Sequence, residues 1–488
     1  MITGRFVSKK RRYLAGLIGC ALILAVLLPL LLGGRLDLVE YRGLDWLHRN
    51  FPETSKVSSD IVIVYIDQKS IDAFRRGMGV GWPWPRDFYG RAAWYLHEAG
   101  AKAVVFDATF SEPSVFNDDY GDDEAFAQAM SASGRVLQTL LFHKHKKDTG
   151  APADEAALAR LTGRGLDYRG PPLEDYADVT MPIKVIEEAA WGLGDITIEP
   201  EDDGVVRRLR PLAGFQGRAF ATLSLAAYLK INNRKTLVRS AKGLQAGPII
   251  LPLDETDKTL VKYYGGAGVY EEFNFAAVIQ SAMQLENGEK PLIPLADFKD
   301  KIVFVGAKAA ALYDLRSTPV ADALPGVEIH AAFLNNLLAN DFLSRASPGL
   351  RGVVIALLFL ATLSAAILTG SVLAGAGLSL GLGVFYAAVC ILTFRHNIWL
   401  DTVSPLGGQA GVFILAGLIN YYGEGREKRA VRGAFSRYLS PQVVSEVLEN
   451  PEMLSLGGSR RVMTAFFSDI AGFTTISESL SPEDLVRL

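Results

Sequence analysis

Cysteine is nearly missing: the 488 residues contain two, Cys20 and Cys390, each inside an apolar run. Thiols placed there cannot staple an exported domain, and no Cys spacing of a zinc site occurs. Histidine is scarce as well. Only six are present, and none follows His396, which excludes a His-bearing phosphoacceptor helix beyond that point. Charge is thin and balanced, with 21% Asp, Glu, Lys and Arg and a net charge of −3. No basic surface accumulates, so no nucleic-acid partner is expected.

What the chain has instead is apolar length, with 49% hydrophobic residues. No charge occurs from Tyr13 to Gly34, and none between Arg351 and Arg395. A run of about 20 apolar residues crosses a bilayer as a helix. Four spans are predicted, over 13–34, 350–369, 372–394 and 402–422, with a tight turn near Thr369-Gly370-Ser371. Ala374, Gly375, Ala376, Gly377, Gly381 and Gly383 permit close helix contact in the third span. Lys9, Lys10, Arg11 and Arg12 precede the first span, and Arg426, Lys428, Arg429 and Arg432 follow the last. The positive-inside rule then places residues 1–12 and everything after residue 422 in the cytoplasm of an inner (plasma) membrane. A cleaved signal peptide is the rival for the first run, but no Ala-x-Ala site follows it. Arg351 and Arg395 fall outside, where snorkelling is expected.

Residues 35–348 read as an exported α/β domain. Strands are predicted at Ile61–Ile66, Lys102–Phe106, Val136–Phe142, Asp195–Ile198, Leu260–Tyr264 and Lys301–Val305. Arg86–Ala99 reads as a helix stopped by Gly100, and Val327–Ala339 as a terminal helix. Asp202-Asp203-Gly204 reads as the turn of a hairpin before Val205–Leu212. Asp67 and Asp107 close their strands and could meet at one sheet edge as a ligand or metal site; helix capping is the plainer role. Trp82-Pro83-Trp84-Pro85-Arg86 offers an aromatic ligand wall or, more simply, a rigid turn with indoles packed on the core. His143-Lys144-His145 is better explained as a solvated basic loop than as metal ligands.

The strings DIVIVYID, GWPWPRDFYG, GAKAVVFDATFSEPS, DDGVVRR, KIVFVGAKAAALYDLRSTPV and LPGVEIHAAFLNNLL span nearly all of this region. They resemble the second of the CHASE families, sensor domains held outside the membrane in cyclases and histidine kinases. The resemblance implies an extracytoplasmic ligand or stimulus without naming it.

After the last span, residues 423–456 form a signalling linker. Val431, Ala434, Phe435 and Tyr438 give one helical apolar face, and Ser440-Pro441 starts a second helix carrying Val443, Val444, Val447 and Leu448. Ser481-Pro482-Glu483-Asp484 reads as a further capped start. Between them Val462–Phe467 suits a buried strand, followed by Asp469 and a turn at Gly472. A lone strand–Asp–Gly pattern more often caps a helix than holds a ligand. The long string FFSDIAGFTTISE, with its lead-in from Gly457 to Val462, resembles the start of a class III nucleotidyl cyclase domain, an α+β ferredoxin-like fold.

The cyclase resemblance covers 457–488. It implies that Asp469 is catalytic and bridges two Mg2+ (or Mn2+) ions, that Ile470 adds a backbone carbonyl, and that Gly472, Phe473 and Thr474 hold the triphosphate. It further implies ATP as substrate, cyclic AMP as product, and a homodimer, since such sites are built from two chains. Guanylate cyclase and a non-catalytic membrane sensor are the alternatives. The second metal-binding aspartate and the transition-state groups of that family do not occur before Leu488, so the expectation is that this polypeptide is inactive alone.

Overall fold

The computed structural model describes residues 2–116, 121–146, 155–309, 314–369, 371–435, 462, 464–469 and 471–485. It divides into two compact units, Met1–Ile419 and Asn420–Leu488. The first unit opens with helix α1 (Ile2–Leu32) and helix α2 (Asp37–Asn50). Strand β1 (Ile61–Ile66) follows, then α3 (Gln68–Gly77), α4 (Arg86–Glu98), β2 (Ala103–Asp107), α5 (Asp122–Ser133) and β3 (Val136–His143). The remaining elements used below are β4 (Asp178–Thr180), β5 (Gly192–Asp195), α6 (Leu223–Ile231), β6 (Glu271–Asn274), α7 (Phe275–Glu286), β7 (Ile302–Ala307), α8 (Gly326–Ala339), α9 (Pro348–Leu368), α10 (Val372–Arg395) and α11 (Val403–Phe435).

The main sheet runs β6–β1–β7–β2–β3, with β5 and β4 both on β3. All pairs are parallel except β3–β4. Parallel sheets bury both faces, and β1 reads accordingly: all six residues of IVIVYI are buried. Ile61, Ile63 and Tyr65 face a core shared with α6 and α8, whereas Val62, Val64 and Ile66 face one shared with α3, α4, α5 and α7. Each buried Val or Ile contributes about 1.5–3 kcal/mol, so this one strand ties both layers together.

Three expectations shift. The strand expected at Asp195–Ile198 ends at Asp195, because its carboxylate turns back onto Thr197, accepting from its N–H at 2.8 Å and from its hydroxyl. Gly194, inside the true strand, lies so close to α6 that a Cβ would stand 2.5 Å from the Leu223 Cα. Of Leu260–Tyr264 only Leu260 joins a ladder, together with Thr259 before it. The Lys262 backbone is satisfied instead by the Asn336 amide, which accepts from its N–H at 2.9 Å and donates to its carbonyl at 3.0 Å. The Asp202-Asp203-Gly204 turn forms with Gly204 at φ 81° and is closed by the Glu201 N–H donating to the Val205 carbonyl at 3.0 Å, but Val205 then bridges to Ser317 and no hairpin ladder continues from it.

Four helices are long and apolar enough to cross a membrane: Lys10–Leu32, Pro348–Leu368, Val372–Arg395 and Val403–Gly423. Ser347 and Ser371 cap α9 and α10 by accepting from Leu350 and Ala374. Gly375 meets Ala366, and Gly383 meets Gln409, whereas Gly377 and Gly381 face open space. Arg351 does not snorkel. It is buried and donates to Asp401 at 2.8 Å.

In the second unit, Val462 and 464–469 have no regular structure, and Val462, Phe466 and Phe467 are exposed. The buried strand expected there is not formed, because a strand needs a neighbour and no second strand occurs among this unit's described residues. A seven-residue helix, α12 (Phe473–Ser479), follows Gly472, which has φ 78°. Ser481 caps the turn Pro482–Leu485, accepting from the Asp484 N–H at 3.2 Å, as its sequence predicts. The linker helix is continuous with α11 as far as Phe435. Tyr438 and the helix expected from Ser440-Pro441 lie outside the described residues, as does Gly370.

Candidate functional site

Parallel strands deliver their carboxyl ends to one edge, and here those ends are polar: Asp67 after β1, Asp107 in β2, Asp195 in β5, Asn274 in β6 and Lys308 after β7. From β1 the chain passes into α3 on one face, and from β7 it leads to α8 on the other. Neighbouring strands that diverge in this way open a crevice, the usual ligand position in such sheets. A pocket of about 580 Å3 opens on the β1–β6 side of this edge, lined by Tyr65, Asp67, Glu272, Asn274, Ile293 and Lys308 among others. Lys308 pairs with Glu272 at 2.8 Å and sits 4.1 Å over the Tyr65 ring. The Tyr65 hydroxyl donates to buried Glu328 on α8 at 2.6 Å. Asp67 takes the plainer of its two roles, capping α3 by accepting from the Ser70 N–H at 2.8 Å and its hydroxyl at 2.7 Å.

Asp107 is different. It is only 9% exposed, and its Oδ2 has no hydrogen-bond partner among the described residues. Burial, and then the negative charge of Asp314, push its carboxyl up to about 8. Asp314 is itself raised by burial and is pressed against Gly326, where a Cβ would fall 2.7 Å from its carboxylate. The folded chain therefore keeps a proton on Asp107 that the unfolded chain releases near pH 4. Stability from this group is fully present below that value and is lost as pH rises toward 8. Asp107→Asn should accordingly gain on wild type in thermal stability as pH rises across that window, by on the order of 1–3 kcal/mol. Parallel melting curves at several pH values check this.

The remaining nominated residues separate clearly. Trp84 is core, with its ring 5.3 Å from Phe275 in a stack, whereas Trp82 is 41% exposed and packs edgewise on Trp84, so no two-sided aromatic wall forms. His143 meets the Thr180 hydroxyl at 2.8 Å and Lys144 pairs with Glu199. Among the described residues no three His, Cys, Asp or Glu side chains are placed to hold a metal ion. Asp469, Gly472, Phe473 and Thr474 are all exposed in the second unit, and Ile470 lies outside the described residues.

The junction between the α/β domain and the apolar helices is the feature that sequence reading missed. Its centre is α2. Glu40, fully buried, points its carboxylate at the start of α11 and accepts from the N–H groups of Thr402 (2.6 Å), Val403 (3.2 Å) and Ser404 (2.6 Å). A helix start carries free N–H groups and partial positive charge, so a buried carboxylate is well matched to it. Asp45, less than two turns further along α2, grips Arg207 of the α/β domain at 2.6 and 2.8 Å. Asp37, in the first turn, accepts from Arg345 at 2.7 Å, and Arg345 and Arg351 share the buried Asp401. One helix thus ties the domain to the first turn of α11. A usable signal was present in Asp37, Glu40 and Asp45, three acids within nine residues soon after an apolar span.

Comparison with known proteins gives one family: the model for the CHASE2 domain matches residues 21–372. No curated protein and no solved structure matches the chain.

Proposed function

This chain belongs to the CHASE2 domain family, and on that premise we propose that it is a multi-pass membrane receptor whose α/β domain senses an extracytoplasmic stimulus. The observation that carries this reading is a family match over an α/β domain bracketed by apolar helices, α1 before it and α9 to α11 after it. The carboxyl-edge crevice is the place for a ligand, and α2 is the route from the domain to α11. Basic residues in the opening turns of α1, ahead of its apolar run, and after the last span support a cytoplasmic position for both chain ends.

Its output is proposed to be that of a class III adenylate cyclase, acting as a homodimer that converts ATP to cyclic AMP and pyrophosphate. Support for this lies in the string Phe466–Glu478. Asp469 would contribute a carboxylate at the nucleotide, and Gly472 to Thr474 the backbone beside its phosphates. In a chain extended through a whole cyclase domain, Asp469→Ala should lower cyclic AMP formation by about 100-fold or more, the scale of losing one electrostatic group at a reacting centre. Undiminished activity would remove Asp469 from the mechanism, and an extended chain that makes no cyclic nucleotide would leave a non-catalytic sensor.

A further inference from the structure

The course of α2 fixes its orientation. Asp37 meets Arg345, three residues before α9; Glu40 and Gly43 meet Thr402 and Val403 at the start of α11; His48 lies edgewise 4.9 Å from Phe394 in the last turn of α10. These are the same-side ends of three helices that run up and down against each other, and α1 ends on that side too. From Asp37 to His48 is about 16 Å of helix at 1.5 Å per residue. A helix that touches three helix ends over that length lies across them.

The inward face is filled by Glu40, Gly43, Leu44, Leu47 and His48. Its other face is exposed and composed in an unusual way: Arg35 just before the helix, then Leu38, Val39, Arg42, Trp46 and Arg49, at spacings of three and four. Leu38, Val39 and Trp46 are 52%, 40% and 50% exposed. Arg35 and Arg42 make no ion pair among the described residues, while Arg49 reaches Asp322 at 3.0 Å. Large apolar groups alternating with arginine suit neither water alone nor a hydrocarbon core; they suit the boundary between them.

We propose that this face of α2 docks on the lipid headgroup layer, with Leu38, Val39 and Trp46 set at the acyl boundary and Arg35 and Arg42 paired with anionic headgroups. The inference rests on reading α1 and α9 to α11 as spans. Continuity favours lipid as the occupant: α2 begins within five residues of the end of α1, too few to leave the interface. Headgroup charge would thereby bear on the element that holds both Arg207 and the start of α11.

The test uses the whole chain in nanodiscs, with a spin label on Leu38→Cys or, as a second position, Val39→Cys. A third label on Leu380→Cys, at an exposed site midway along α10, serves as the reference for lipid. Collision with oxygen reports lipid, and collision with a nickel chelate reports water. Expected are oxygen-dominated collisions at residues 38 and 39, deeper in phosphatidylcholine–phosphatidylglycerol discs than in phosphatidylcholine alone. Arg35→Gln/Arg42→Gln should abolish that difference. Nickel-dominated collisions at 38 and 39, with Leu380 still in lipid, would overturn the proposal. So would shielding from both reagents with spin–spin broadening, which would assign the face to a second copy. A nickel-accessible label at 380 would sink the reading of spans itself.

Discussion

Arg207→Ala should destabilise the first unit by about 3–5 kcal/mol, the usual cost of stranding a buried charge's partners. Its side chain is 1% exposed and bonds to Asp45, Glu201 and Asp203 together, while its guanidinium lies 4.8 Å over the Tyr41 ring. Those carboxylates hold the guanidinium far above any accessible titration range, against the opposing effect of burial. Removing it leaves three carboxylates facing one another. Arg207→Lys should recover little, because one ammonium cannot bond all three in the same plane. Adding Asp45→Ala to Arg207→Ala should cost less than the sum of the two single changes, since they share one interaction. Thermal melts of the three variants in detergent give the comparison.

The second large effect belongs to Glu40→Ala. Three N–H groups at the start of α11 lose their shared acceptor, where an ordinary cap is worth about 0.5–2 kcal/mol and a hydrogen bond to a charged group about 1.5–3. Taking about 2 kcal/mol for opening the first turn, amide exchange at Thr402, Val403 and Ser404 should quicken roughly thirtyfold. Exchange in β1 and β7, remote from this turn, should hold at wild-type rates. Unaltered exchange at 402–404 would show that α11 starts without help from α2.

How much of this was legible in the sequence depends on where its cause lies. The buried parallel strands announce themselves by local composition: Ile61–Ile66 and Ile302–Ala307 are unbroken apolar runs followed by polar residues. So do the helix stops at Gly100 and the cap at Ser481. Legibility failed where a backbone is satisfied by a distant side chain. Asn336 replaces a ladder for Lys262 across 74 residues, and Glu40 reaches Thr402 across 362. No local pattern carries such pairings. At the candidate site the strand-end acids were visible, but Asp67 as a cap and Asp107 as a buried acid whose Oδ2 finds no partner among the described residues differ only in their surroundings. Val462–Phe467 failed for the opposite reason: its composition asks for a strand, and the neighbour that would make it one does not occur among the described residues of its unit.

A receptor of the proposed kind needs its α/β domain and its Asp469 segment on opposite sides of a membrane. Single cysteines at Gly217, an exposed turn of the domain, and at Ser479 decide it, since Cys20 and Cys390 are buried. With a membrane-impermeant maleimide on intact cells, position 217 should label at once and position 479 only after permeabilisation. Labelling of both positions from the same side would contradict the receptor architecture.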